Sequence, residues 1–281
     1  MEPSATREIN IGGVTVGGGR FAVIGGPCVI ENAALAVATA REGARVCREL
    51  GIPYIYKSSY LKDNRSSHEF YQGPGLEEGL AVLARVKAEA GVPVLSDVHT
   101  PAEAAPAARV LDCLQLPAYL SKQTQLTLAL AATGKPVNVK KGQFLKPEQV
   151  AVPIGKIEST GNRQITLTER GTVFGYGDIV FDPRSLVTLR RFGYPVFFDV
   201  THVVRLPGAT SDDPAGGLRD LIFPLARAAV AAGVDGLFVE FHPDPPAALC
   251  DAASMLPMDR LKELLTQCLE IHERVRRWPA R

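Results

Sequence analysis

Residues 76–97 read LEEGLAVLARVKAEAGVPVLSD. In the first fifteen residues apolar side chains return every three or four positions, between Glu, Arg and Lys, which is the period of an amphipathic helix. Gly91 follows at once, and a glycine just past a helix end takes the left-handed conformation without a Cβ penalty. Then comes VPVLSD, a short β-branched run that stops on a carboxylate. One helix, one glycine and one short buried strand make a single α/β unit.

The unit recurs along the whole chain. Eight comparable runs are present: FAVIGG (21–26), PYIYKS (53–58), VPVLSD (92–97), DCLQLP (112–117), PVNVKK (136–141), QITLTE (164–169), PVFFDV (195–200) and GLFVEF (236–241). They lie roughly 20 to 40 residues apart, with helical segments such as AALAVATAREGARVCREL (33–50) between them. Gly51, Gly91, Gly134 and Gly233 stand at the expected helix ends. Eight alternations with no linker predict an α/β fold, a (β/α)8 TIM barrel filling residues 1–281 as one domain. A doubly wound open sheet is the competing arrangement. Ahead of the first run, INIGGVTVGGGR (9–20) alternates around Gly12-Gly13 and Gly17-Gly18-Gly19. It predicts a β-hairpin over about residues 8–20, placed to plug the barrel's bottom.

Composition narrows the function classes. The 31 Lys and Arg residues balance 30 Asp and Glu, and no basic tract appears, so a nucleic-acid partner is not expected. No apolar run approaches the roughly 20 residues needed to cross a bilayer, and the polar N-terminus does not suit a signal peptide. Five cysteines without paired spacing argue against a disulfide framework and for a reducing cytoplasm.

Active sites in such barrels form where the strands end. The strand ends here are chemically loaded. They carry Cys28, Lys57, Asp97 and His99, Gln115, Lys140 and Lys141, Glu169 and Arg170, Asp199 and His202, and Glu240 and His242, with Asp251 in the next loop. A purely structural barrel needs no charge at every mouth. Lys57, Lys62, Arg65, Lys140, Lys141 and Arg170 form a cationic set suited to a small polyanion, with Ser59, Asn64, Ser66 and Ser67 as neutral donors. A solvated charged rim is the plainer reading of any one of them. Cys28, His202, Glu240 and Asp251 form a second set, and thiolate, imidazole and carboxylates suit a borderline divalent metal: Fe2+, Zn2+ or Mn2+. A lone buried Cys is more commonly a small hydrophobe, and that reading also covers Cys47, Cys113, Cys250 and Cys268. Cys250 adjoins Asp251. His99 and His242 are divided between supporting the site and packing.

These residues sit in ordered words: GGPCVIEN, YKSSYLKDNRSS, GPGLEEGL, SDVHTP, LQLPAYLSKQT, VNVKKGQFLKP, LTERGTVFGYGDIVFDPRSL, FFDVTHVVRLPG and EFHPDPPAALCDAASMLP. Over about residues 20–275 they closely resemble the 3-deoxy-D-manno-octulosonate 8-phosphate synthases. The related heptulosonate 7-phosphate synthases typically carry a Pro-Arg-Thr type motif where this chain has Asn64-Arg65-Ser66. The resemblance implies a homotetrameric barrel. It implies condensation of phosphoenolpyruvate with D-arabinose 5-phosphate and water, giving an eight-carbon keto sugar phosphate for lipopolysaccharide and inorganic phosphate. It implies a phosphoenolpyruvate site at Lys57, Ser59, Lys62, Lys140, Arg170 and His202, and Gln115 on the fourth strand is a further candidate substrate-binding residue. Asn64, Arg65 and Ser66 then meet the aldose phosphate, Lys57, Lys62, His202 and Asp251 carry the chemistry, and Cys28, His202, Glu240 and Asp251 hold the metal. A metal-independent branch has Asn in place of Cys28, so this chain resembles the metal-dependent one.

Four changes depart from the family's usual words. Asp63 replaces Ala, Arg205 replaces a common Gln, and Gly177-Asp178 replaces Asn-Asn. Lys122 replaces an Arg expected to cross a subunit boundary toward the aldose phosphate, and Lys cannot reproduce its bidentate grip. These changes leave the aldose partner more open than phosphoenolpyruvate, with another aldose phosphate, as in a heptulosonate-type synthase, as the alternative. Two other classes compete with the condensing enzyme. A metal-dependent barrel hydrolase normally carries more histidines than this chain. A regulatory anion-binding barrel leaves the metal-suited set unexplained.

Overall fold

The computed structural model describes residues 6–175, 177–210, 213 and 215–278. The ends of the expected 1–281 span, and Tyr176 of the FGYGD word, lie outside them. The first described element is the expected hairpin. Strand β1 (Ile9–Ile11) pairs antiparallel with β2 (Val14–Val16), Ile11 opposite Val14, so Gly12-Gly13 is a two-residue turn. Its φ angles are 57° and 90°, and such a turn matches the strand twist only with residues that tolerate positive φ. A Cβ on Gly12 would also stand 2.7 Å from Pro93 Cβ. Ile9, Ile11 and Val16 pack with Ala22, Ile24, Ile55, Leu95, Cys113, Phe197 and Phe238, side chains of six different barrel strands. The hairpin therefore closes the N-terminal end of the barrel.

The strands continue as β3 (Ala22–Gly26), β4 (Tyr54–Lys57), β5 (Val94–Asp97), β6 (Cys113–Leu116), β7 (Val137–Lys140), β8 (Ile165–Glu169), β9 (Thr172–Val173), β10 (Ile179–Val180), β11 (Val196–Asp199), β12 (Gly236–His242) and β13 (Leu256–Pro257). The main sheet runs β11-β8-β7-β6-β5-β4-β3-β12 in parallel, and β11 pairs with β12 to close it. Closure removes both edges, which excludes the open doubly wound sheet. All eight runs read from the sequence are barrel strands. The short hairpin β9–β10 stands above β8 and was not foreseen.

Among the described residues eight helices surround the barrel: α1 (Ala33–Glu49), α2 (Leu76–Ala90), α3 (Pro101–Ala108), α4 (Thr124–Ala132), α5 (Ala151–Glu158), α6 (Arg184–Arg190), α7 (Ile222–Ala231) and α8 (Leu261–Val275). Asn32 caps α1 by accepting from the Leu35 amide at 2.9 Å. Gly91 ends α2 in the left-handed conformation, as expected. No helix among the described residues is long and apolar enough to cross a membrane.

Successive strand residues point to opposite faces. Val94, Leu114, Val137, Ile165, Phe198 and Leu237 face the helices. Ile55, Leu95, Cys113, Phe197 and Phe238 face the axis. Two residues beyond each of these five stand Lys57, Asp97, Gln115, Asp199 and Glu240, all buried. The period of two thus aims the polar strand ends at one point above an apolar floor. Gly26 makes room there, since a Cβ on it would lie 2.3 Å from the Lys57 carbonyl oxygen.

Candidate active site

Two adjoining chambers open at the C-terminal mouth. The inner one, about 650 Å³, is lined by Lys57, Lys62, Asp63, Asn64, Asp97, His99, Gln115, Lys140, Arg170 and His202, with Pro117–Leu120 at its side. The outer one, about 970 Å³, is lined by Asn64, Arg65, Ser66, Arg205, Cys250 and Asp251. Lys62, Asn64, Tyr119, Arg170 and His202 belong to both.

Buried ion pairs hold the inner cations in place. Lys57 Nζ donates to Glu240 Oε1 at 2.9 Å, to Ser59 Oγ at 3.1 Å and to the Cys28 carbonyl at 3.3 Å. Ser59 in turn donates to Asp97 Oδ1. Lys140 Nζ lies 2.6 Å from Asp199 Oδ2, which also lies 2.8 Å from His202 Nδ1. Burial opposes the charge on Lys62, yet Cys28, Asp97 and Glu240 hold its ammonium well above the usual range. Burial pushes Lys140 and Arg170 down, further than neighbouring carboxylates pull them up. Arg170 Nη1 and Gln115 Oε1 are buried with no hydrogen-bond partner among the described residues. A buried donor left open beside several cations is the signature of an anion's place.

The residues of KDNRSS form the rim. Asp63, Asn64 and Ser66 are exposed. Arg65 reaches across the outer chamber, donating to Cys250 Sγ at 2.9 Å and to the Leu249 carbonyl at 3.1 Å, with its guanidinium 5.4 Å from the centre of the Phe70 ring. Lys122 is exposed and lines neither chamber of its own chain. Lys141, which the sequence grouped with the cations, turns away from the axis. It is buried against Glu169 at 3.4 Å and donates to the Gly171 carbonyl at 3.0 Å. The period of two places Lys140 inside and its neighbour outside.

The four metal-suited residues, with Cys250, form two trios that share Asp251. One joins Cys28, Cys250 and Asp251; the other joins His202, Glu240 and Asp251; within each, the donor atoms lie within 4.8 Å of one another. Cys28 Sγ is 3.1 Å from Cys250 Sγ and 3.5 Å from Asp251 Oδ2. His202 Nε2 is 3.6 Å from Asp251 Oδ2 and 3.8 Å from Glu240 Oε2. His202 Nδ1 lies beside Asp199 Oδ2, and Nε2 faces two carboxylates. That arrangement is repulsive unless a cation lies among the donors. A thiol, an imidazole braced by a carboxylate, and two carboxylates therefore fit a borderline divalent ion. Burial raises the Cys28 thiol well above its ordinary value, Cys250 and Asp251 adding to the effect. Burial also lifts Glu240, but His202, Lys57 and Lys62 outweigh it and hold the carboxyl at about 2.

Three residues gain weight that the sequence did not give them. Asp199 was legible as a strand end, but its joint hold on Lys140 and His202 was not. Cys250 adjoins Asp251 in sequence, yet its approach to Cys28 comes from across the barrel. Arg205 stood out as a departure, and the structure places its guanidinium on Asp251 Oδ1.

Residues 4–277 match the family model described as the DAHP synthetase I family. Among curated proteins, the 2-dehydro-3-deoxyphosphooctonate aldolase of Trichlorobacter lovleyi is 51% identical over 261 residues, covering 92% of this chain and 96% of that protein. The protein of the same name from Syntrophobacter fumaroxidans is 50% identical over 269 residues, 96% of this chain and 93% of its own. That of Desulfotalea psychrophila is 46% identical over 276 residues, 98% of each.

Proposed function

The chain belongs to the DAHP synthetase I family, and we propose that it condenses phosphoenolpyruvate with D-arabinose 5-phosphate and water. The products are 3-deoxy-D-manno-octulosonate 8-phosphate and inorganic phosphate. The relatives named as octonate enzymes span nearly the whole chain, which favours this partner over the aldose of a heptulosonate-type synthase. The observation that carries the reading is the inner chamber. It sets Lys57, Lys62, Lys140 and Arg170 around one small space, with an open guanidinium nitrogen and an open amide oxygen.

In this reading those four cations hold the phosphate and carboxylate of phosphoenolpyruvate, with Ser59 and Gln115 as neutral partners. Asn64, Arg65 and Ser66 receive the phosphate of the aldose in the outer chamber. C3 of phosphoenolpyruvate attacks the aldehyde carbon, so no protein nucleophile is needed, and the enzyme's task is positioning and charge stabilisation. Lys62 faces both chambers, and in this reading its Nζ gives a proton to the alkoxide that forms on the aldehyde oxygen. Water then adds to C2, and phosphate departs by C–O cleavage. Cys28, His202, Glu240 and Asp251 would hold a divalent ion, which supplies polarisation of the aldose carbonyl or activation of the water. Asp199 keeps the His202 ring turned toward that place.

A homotetramer in the cytoplasm belongs to the same reading. Tyr119, Phe144 and Phe174, on the loops after three consecutive strands, are each more than half exposed, which supports burial between copies.

Phosphate release from phosphoenolpyruvate tests the reaction, with arabinose 5-phosphate, erythrose 4-phosphate and ribose 5-phosphate supplied in turn. Release is expected with arabinose 5-phosphate above the other two, and none with it overturns the assignment. Chelation is expected to abolish turnover, and Fe2+, Zn2+ or Mn2+ to restore it. Full activity in metal-free protein overturns the metal dependence.

A further inference from the structure

Asp251 has φ of 54°, the one positive value at a non-glycine position among the described residues. The left-handed conformation is costly for a residue with a Cβ, even one as tolerant as Asp, and persists where surrounding contacts impose it. Behind Asp251 the chain turns back, its carbonyl accepting from the Ser254 and Met255 amides at 3.0 and 3.2 Å. In front, the guanidinium of Arg205 grips Oδ1. Oδ2 then faces His202 Nε2 and Cys28 Sγ.

Arg205 is itself tied to the segment that delivers His202. Asp199 Oδ1 accepts from the Thr201 and His202 amides at 3.2 and 2.9 Å and so fixes the turn after β11. Three residues beyond His202, Arg205 forms an isolated antiparallel bridge with Gly217, and the Leu218 amide donates to the Val204 carbonyl at 2.8 Å. One rigid segment therefore presents a donor, His202, and a clamp on a second donor that arrives from a different loop.

We propose that Arg205 is a positioning residue. Its grip on Oδ1 fixes the rotation of the Asp251 carboxylate, so that Oδ2 is delivered at a set distance from His202 and Cys28 and completes the divalent-ion site. The inference rests on the metal reading given above. A partner that orients a ligating side chain typically contributes 10- to 100-fold in metal affinity. A lysine here supplies the charge as a compact point on a more flexible stem.

The test uses the full chain stripped with chelator. Zn2+ and Mn2+ affinities are measured by competition with a chromogenic chelator for wild type, Arg205→Met and Arg205→Lys, beside melting temperatures of the metal-free proteins. Wild type is expected to bind one ion. Arg205→Met is expected to bind it 10- to 100-fold more weakly, and Arg205→Lys to fall between. The KM for phosphoenolpyruvate is expected to stay within about twofold in the variants, because Arg205 does not line the inner chamber. A merely structural role would shift the melting temperature and leave the affinity of the folded protein unchanged. Should Arg205→Met fail to fold, Arg205→Lys decides alone, and wild-type affinity in it overturns the proposal. Wild-type affinity in a folded Arg205→Met overturns this inference while the metal reading stands. Absence of stoichiometric metal in the wild type overturns the metal reading itself, and this inference with it.

Discussion

Asp199→Asn is the substitution that probes the site's architecture most directly. Asp199 is fully buried, and the two oxygens of its carboxylate have separate duties. Oδ1 accepts from the amides of Thr201 and His202, a duty an amide oxygen can keep. Oδ2 holds the Lys140 ammonium at 2.6 Å and His202 Nδ1 at 2.8 Å, a duty that an NH2 group reverses. Removing one partner of a buried ion pair costs about 3–5 kcal/mol, because the other charge stays behind unpaired. At about 2–4 °C per kcal/mol for a chain of this size, the melting temperature of metal-free protein should fall by about 6–20 °C. Burial already pushes the Lys140 ammonium down against the pull of Asp199, and without Asp199 it falls further. A base whose folded pKa is depressed loses stability as pH falls and regains it as pH rises, since it sheds its proton more easily in the folded state. The deficit should therefore be larger at about pH 6 than at about pH 9. Melting both proteins across that range by circular dichroism is the assay. A variant within about 2 °C of wild type throughout, or a deficit that widens with pH, refutes the role given to Asp199.

Cys28→Ala removes one buried heavy atom, at a cost of about 1 kcal/mol, and should abolish stoichiometric divalent binding; retained metal with a large drop in melting temperature would identify Cys28 as core filler. Lys57→Met leaves Glu240 without a cation 2.9 Å away and should lower stability by about 3–5 kcal/mol, while calorimetry shows phosphoenolpyruvate binding at least tenfold weaker; unchanged binding removes Lys57 from the site. Ile11→Ala hollows the plug beneath the barrel and should cost about 2–5 kcal/mol in urea unfolding, with KM values unaltered because the plug lies at the far end; no change in stability contradicts the plug. Burial pushes the His202 imidazole below its ordinary value despite Asp199 and Glu240. The unfolded chain then binds that proton more readily, so metal-free protein should lose stability as pH falls below about 6.5. His202→Asn should flatten that limb, and an unaltered slope excludes His202 as its source.

Much of the architecture was legible in the residues. The eight strands, the glycines that end the helices and the hairpin over Gly12-Gly13 all rest on local signals, because periodicity and positive φ are properties of neighbouring residues. The loaded strand ends were legible for the same reason. A strand's parity carries Lys57, Asp97, Gln115, Lys140, Asp199 and Glu240 to one face wherever the barrel closes. The same parity turns Lys141 away from that face, although it sits among the cations in sequence. What the sequence could not contain is which charge meets which. Lys57 and Glu240 are 183 positions apart, and Cys28 and Cys250 are 222 apart. Their meeting depends on β3 pairing with β12 and on β11 closing against β12. The left-handed turn at Asp251, and the arginine that grips its carboxylate, belong to loops with no period to read. Sequence alone thus determined the barrel and the chemical inventory at its mouth, since both are written in local repeats. The tertiary structure alone decided how those groups are paired, because pairing is set by closure of the ring and by the rotation of side chains across it.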